Sequence, residues 1–201
     1  MSTERQIRAA IFDMDGLLID SEPLWDRGEH EVLSELGVDF TRRHELPDTR
    51  GLRIDLVVEL WFGQQPWTGP DCATVVERII SRVISLVEEK RPLLPGVREA
   101  VALCKAQGLK VGLASASPLY MLEKVLTMFD LRHQFDALAS ADKLDYSKPH
   151  PLVYLNCAAE LGVSPLQCVA LEDSVNGMIA SKAARMRLSS VIAPVSLSWG
   201  T

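Results

Sequence analysis

Ile7-Arg8-Ala9-Ala10-Ile11-Phe12-Asp13-Met14-Asp15-Gly16 sets a largely apolar run against two carboxylates two positions apart. Along a strand, positions i and i+2 face the same side, so Asp13 and Asp15 would project together from its end, and Gly16 lets the chain turn just beyond them. Burying a charge without a partner is costly, so such groups are normally paired or metal-bound. The C-terminal edge of a strand is also where open α/β sheets place their ligands. Read alone, the segment also admits a blander reading, a strand that merely ends in a polar turn.

Outward from this run, short apolar stretches recur at Lys110–Ala114, Ala137–Ala139, Cys168–Leu171 and Ser190–Val195. Helical patterns lie between them, at Gly96–Gln107, Pro118–Met128 and Pro151–Leu161, the last two with proline in the first turn. Strands alternating with helices predict an α/β fold, a Rossmann-like parallel sheet wound by right-handed crossovers. The stretch 21–91 differs, with helical periodicity and no convincing strand. Its clearest element is Ala73–Glu89, whose Val75, Val76, Ile79, Ile80, Val83, Ile84 and Val87 form an apolar stripe suited to a helix–helix seam. Trp25, Val32, Leu33 and Leu36 make a similar stripe on an earlier helix ending near Gly37. The expected organisation is a catalytic core of residues 1–20 and 92–201 with an inserted α-helical cap domain, 21–91. Hinges at Leu17–Ser21 and Arg91–Gly96 would place that cap as a lid beside the two aspartates.

The 201 residues are 47% hydrophobic and 24% charged, ordinary for a chain that buries a full core. A net charge of −6 argues against nucleic acid or an anionic membrane as the main partner. Cys72, Cys104, Cys157 and Cys168 are too far apart for a zinc or redox motif and suit thiols kept reduced in a cytosol. The N-terminal stretch is too short and too acidic for a signal peptide or a membrane span. The expectation is a soluble cytoplasmic protein.

Three further predicted strand ends complete a set. Ser115-Ala116-Ser117 opens the helix at Pro118, where free N–H groups and hydroxyls favour an anion. Ser147-Lys148-Pro149 precedes another helix, and Leu171-Glu172-Asp173-Ser174 closes a third apolar run. Separately these read as a helix cap, a solvated lysine and an N-cap by Asp173. Together, Asp13, Asp15, Glu172 and Asp173 would meet at one sheet edge, and four carboxylates repel unless a divalent cation sits among them. Oxygen-only ligands select a hard ion such as Mg²⁺. Lys148 and Ser115 would then face the oxygens of a bound phosphoryl group.

Phe12-Asp13-Met14-Asp15-Gly16, Ser115, Lys148 and Glu172-Asp173 resemble, in order and spacing, the four motifs of the haloacid dehalogenase superfamily. Asp20-Ser21-Glu22-Pro23, Leu113–Pro118, Tyr146–His150 and Leu171–Gly177 are similar to its sugar-phosphate phosphatase branch, which includes β-phosphoglucomutase. The resemblance implies a Mg²⁺-dependent phosphatase, with Mn²⁺ or Co²⁺ as substitutes, acting on hexose or hexitol phosphates such as 2-deoxyglucose 6-phosphate. It implies Asp13 as nucleophile forming an aspartyl-phosphate and Asp15 as acid and base. Mg²⁺ would be held by Asp13, the Asp15 carbonyl and Asp173, with Glu172 supporting from behind. Ser115, Ala116 and Lys148 would bind phosphate. Arg53, in Gly51-Leu52-Arg53, reads equally as a sugar or phosphate contact and as a surface residue. The partner implied is a small sugar phosphate met by a monomer. Alternatives are a phosphoglucomutase using the same residues, an inactive sugar-phosphate-binding relative and, less well matched, a receiver domain. The likeness fades after about Arg187, where the chain reads as truncated or altered, an expectation of lowered melting temperature.

Overall fold

The computed structural model describes residues 6–49 and 51–190. Five parallel strands form one sheet: β1 (Ala9–Phe12), β2 (Lys110–Ser115), β3 (Ala137–Ser140), β4 (Cys168–Glu172) and β5 (Arg187–Ser190), ordered β3-β2-β1-β4-β5. The first strand is central, hydrogen-bonded to β2 on one side and β4 on the other, and all four of its residues are buried. A strand covered on both faces needs continuous apolar sequence, which Ala9-Ala10-Ile11-Phe12 supplies. Its neighbours' register sets Phe12 beside Leu113 and Leu171, so the strands end level and their C-terminal residues gather at one edge.

Among the described residues, seven α-helices surround the sheet or extend from it: α1 (Glu22–Glu35), α2 (Ile54–Gln64), α3 (Cys72–Lys90), α4 (Val97–Ala106), α5 (Leu119–Met128), α6 (Leu152–Glu160) and α7 (Val175–Ala183). The first three carry no strand between them, and α3 packs against both α1 and α2. Its buried face is Val75, Ile79, Ile80, Val83, Ile84, Leu86 and Val87, and the side chain of Asp71 caps its start by accepting from Thr74 N. Burying side chains of that size stabilises by roughly 1.5–3 kcal/mol each. The two connections to the sheet run side by side: Asp20 N donates to Pro92 O, and Leu94 N to Leu18 O, both at 2.9 Å.

Two apolar clusters hold the chain together. One comprises Ile11, Ala139, Tyr154, Cys157 and their neighbours under α6 and α7. The other runs without a break from Phe12, Leu113 and Leu138 through Met14, Leu18 and Ile19 to Trp61, Ile79 and Val83. The helical insert therefore shares a continuous core with one side of the sheet.

The sequence-derived strands and helices recur with ends moved by a residue or two, except at two places. Helix α2 had no expectation of its own, being apolar on most sides, with Ile54, Val57, Val58 and Trp61 buried and Phe62 exposed. The last strand occupies Arg187–Ser190, and of the expected Ser190–Val195 only Ser190 lies within the described residues. The expectation of a truncated or altered tail falls largely on residues outside the described ones. No helix among the described residues is long and apolar enough to cross a membrane.

Candidate active site

The turn that ends β1 builds the floor of a cleft. Asp13 N continues the ladder by donating to Leu171 O at 3.1 Å, and the Met14 carbonyl accepts from both Leu18 N and Ile19 N, closing a tight turn. Gly16 adopts φ +77°, and a Cβ there would lie 2.1 Å from Asp173 Oδ2. Only glycine fits that backbone and that close approach.

Lys148 is wedged between two acids. Its Nζ donates to Asp13 Oδ1 at 2.8 Å and to Glu172 Oε1 at 2.6 Å, and all three side chains are almost wholly buried. Burial opposes the lysine's charge, but Asp13 and Glu172 outweigh it and hold the ammonium well above its ordinary value. Burial, reinforced by Glu172, raises the Asp13 carboxyl well above the usual range despite Lys148. Glu172 is surrounded by donors: Tyr154 Oη on Oε1, and Ser174 N and Oγ on Oε2 at 3.3 and 3.1 Å. Gly177 makes room for it, since a Cβ there would fall 1.8 Å from Oε1. Ser174, not Asp173, caps α7.

Asp173 is arranged differently. Its Oδ1 is buried with no hydrogen-bond partner, and burial, then the nearby Glu172, pushes its carboxyl up to about 6. One carboxylate oxygen from each of Asp13, Glu172 and Asp173 lies within 4.8 Å of the others. An orphaned buried oxygen beside two more acids, all hard donors, fits a divalent cation of the Mg²⁺ kind.

Asp15 is gripped by four side chains. Ser21 Oγ and Trp25 Nε1 each donate to Oδ1 at 2.8 Å, while Ser117 Oγ donates to Oδ2 at 2.8 Å and Ser115 Oγ at 3.4 Å. Two of these groups come from the end of β2 and the turn after it, and two from the start of the helical insert. Ser115 Oγ also accepts from Ser117 N at 3.0 Å. Ala116 lines the cleft, a cavity of ≈ 70 Å³ bounded by Asp13, Asp15, Lys148 and residues of α1 and α2.

Asp13, Asp15, Ser115, Ala116, Lys148, Glu172 and Asp173 are thus brought to one sheet edge. Arg53 also lines the cleft, but its guanidinium is engaged elsewhere: Nε and Nη2 hold Asp55 at 2.7 and 2.8 Å, and Nη1 donates to the carbonyls of Ala141 and Leu144. It ties the insert to the loop after β3. The contacts that sequence reasoning missed are Trp25, read as packing material, and Tyr154, Ser21 and Ser117, which carried no role of their own. A tryptophan in the first turn after the first hinge candidate, Leu17–Ser21, was the available signal.

Known proteins bear out the likeness. The family model for haloacid dehalogenase-like hydrolase matches residues 7–185. Hexitol phosphatase B of Escherichia coli (strain K12) is 78% identical over 194 residues, covering 96% of this chain and 87% of that protein. A phosphorylated carbohydrates phosphatase of Thermotoga maritima is 32% identical, covering 89% and 82%. Among solved structures, β-phosphoglucomutase from Clostridium difficile superposes with a TM-score of 0.79 at 28% identity, covering 91% of this chain and 83% of the other.

Proposed function

The chain belongs to the haloacid dehalogenase-like hydrolases, and on that footing we propose that it is a Mg²⁺-dependent phosphatase of small phosphorylated sugars, hexose or hexitol phosphates. The observation that carries this reading is the buried Asp13–Lys148–Glu172 triplet set beside Asp15 at the sheet edge. The 78% identity to a hexitol phosphatase supports the substrate class.

In this reading Asp13 attacks phosphorus, the bond from phosphorus to the sugar oxygen breaks, and an aspartyl-phosphate forms. Asp15 gives its proton to the departing sugar alkoxide. It then takes a proton from the water that attacks the acyl phosphate, so that inorganic phosphate leaves and Asp13 is restored. Lys148 keeps its positive charge and faces the phosphoryl oxygens while fixing the Asp13 carboxylate. Ser115 and Ala116 line the phosphate position. Trp25, Ser21 and Ser117 aim the Asp15 carboxyl. A bound divalent ion, held by Asp13, the Asp15 carbonyl and Asp173, would supply charge stabilisation of the phosphoryl group, with Mn²⁺ or Co²⁺ as substitutes. Glu172, its oxygens already engaged, supports from behind.

Residues 21–91 act in this reading as a cap on the paired connections at Leu17–Ser21 and Arg91–Gly96, closing over the substrate, with 1–20 and 92–201 as the catalytic core. The enzyme works as a cytoplasmic monomer. Four free cysteines suit a reducing compartment, and phosphorylated sugars are intracellular metabolites.

Asp13→Asn tests the mechanism: phosphate release from hexose and hexitol phosphates should fall by about 10³-fold or more, with the fold retained by circular dichroism. Full turnover by the variant would sink it. The likeness to β-phosphoglucomutase favours a second reading, transfer back to sugar, because the same residues serve it. Incubation with β-glucose 1-phosphate separates the two: free phosphate marks the hydrolase, glucose 6-phosphate the mutase.

A further inference from the structure

The cap side of the cleft carries charged groups that the reaction above leaves unused. Glu29 on α1 is only 5% exposed yet lines the cleft, and Asp26 lies one helical turn before it. Arg43 sits between them: Nη1 donates to Glu29 Oε2 at 3.0 Å, and Nη2 donates to Thr49 Oγ1 at 3.0 Å and approaches Asp26 Oδ1 at 3.3 Å. A buried ion pair is weak support for a fold, since apolar residues of similar size stabilise at least as well. Its placement in the cleft wall therefore asks for a use.

Among the described residues, Arg43 and Arg53 are the basic side chains on the cap side of this cleft. Both are already turned to acids: Arg43 to two carboxylates, Arg53 to Asp55 and two carbonyls. Neither matches the open, unpaired guanidinium that a second phosphate would need.

We propose that Glu29, Asp26, Arg43 and Thr49 form a polyol subsite, which takes the hydroxyls of a sugar whose phosphate lies at Asp13 and rejects a second phosphate. A sugar hydroxyl donates to a carboxylate oxygen and accepts from a guanidinium or a threonine hydroxyl, so this mixed wall pairs well with vicinal hydroxyls. A phosphate dianion only accepts, carries the same sign as Glu29 and Asp26, and would leave them unpaired against it. The substrate class is then a monophosphate with a neutral, hydroxylated far end. The inference rests on the phosphatase reading and narrows it.

The test compares kcat/KM of the wild type and Glu29→Gln on a hexitol 6-phosphate, a hexose 1,6-bisphosphate and p-nitrophenyl phosphate, which has no sugar hydroxyls. The hexitol-to-nitrophenyl ratio should fall about tenfold, equal to about 1.4 kcal/mol, chiefly through KM. The bisphosphate-to-nitrophenyl ratio should rise about threefold as the repelling charge is removed. Damage to the fold lowers all three substrates together and cannot produce these opposed shifts. Asp26→Asn, whose side chain is 65% exposed and tolerant of change, should move both ratios in the same directions by less. If both variants keep both ratios within about twofold of the wild type, the subsite is overturned and the phosphatase stands. If the wild type releases phosphate from none of the three, the phosphatase reading fails and takes the subsite with it.

Discussion

Floor and roof of the cleft use one device, a basic side chain between two acids, and differ in how much water reaches it. On the floor, the Lys148, Asp13 and Glu172 side chains are 2%, 8% and 0% exposed. On the roof, Arg43 is 36% exposed and its partners Glu29 and Asp26 are 6% and 65% exposed. In a dry site each charge depends on the others, because an unpaired ion there is far costlier than a paired one. Where water reaches one side, a partner can be exchanged for a ligand at small cost. The floor is thus built to hold its geometry, and the roof to trade contacts with what binds.

Removing the floor's cation should show the largest effect of this contrast. Lys148→Met leaves Asp13 and Glu172 facing each other in the interior. Its unfolding free energy, measured by urea titration in the presence of a chelator, should fall by about 3–5 kcal/mol. A loss below about 1 kcal/mol would mean that the floor is no more coupled than a surface pair.

A smaller effect is expected where floor and insert meet, at Asp15. Trp25→Phe deletes the indole N–H that donates to Asp15 Oδ1 and keeps most of the ring's packing. Losing one such hydrogen bond is worth about 0.5–1.5 kcal/mol, so kcat/KM should drop about two- to tenfold. The urea midpoint should hardly change, since Trp25 is only partly buried and Ser21 still holds the same oxygen. A shifted midpoint with unchanged kcat/KM would make Trp25 a packing residue after all.

Much of the floor was legible in the chain because strands constrain it. Asp13 and Asp15 follow an apolar run, Glu172 and Asp173 follow another, and a parallel sheet brings such ends to one edge whatever the helices do. The five-stranded fold was legible for the same reason, down to boundaries of a residue or two in the first four strands, while the last begins three residues earlier than expected. The roof was not. Glu29 sits among apolar positions of α1, and nothing in a periodic pattern says that it faces a cleft and meets an arginine fourteen residues later in a 3-10 turn. Helix α2 was invisible too, because a helix apolar on most sides has little amphipathic contrast. Trp25 looked like core because indole rings usually are, and its N–H finds Asp15 only through the fold. Arg53 had two readings open, and tertiary contacts with Ala141 and Leu144, far along the chain, are what engage it here.

The finest contrast between roof and floor is in how the roof's own acid titrates. Burial, the largest influence, raises the Glu29 carboxyl above its ordinary 4.5, and Arg43 pulls the other way without cancelling it. The folded chain therefore keeps this proton to higher pH than the unfolded chain does. A raised carboxyl contributes stability that is complete below 4.5 and is lost as pH rises through the folded value. The amide of Glu29→Gln cannot titrate, so that variant should gain on the wild type as pH climbs from below 4.5, and the gap should level off once the carboxyl is ionised in both states. Urea midpoints of the two proteins over a pH series check this. A gap that stays constant across the series would mean that Arg43 fully offsets the burial of Glu29. Glu29 would then be a fully compensated ion pair, and the proposed freedom to trade contacts with a sugar would lose its physical basis.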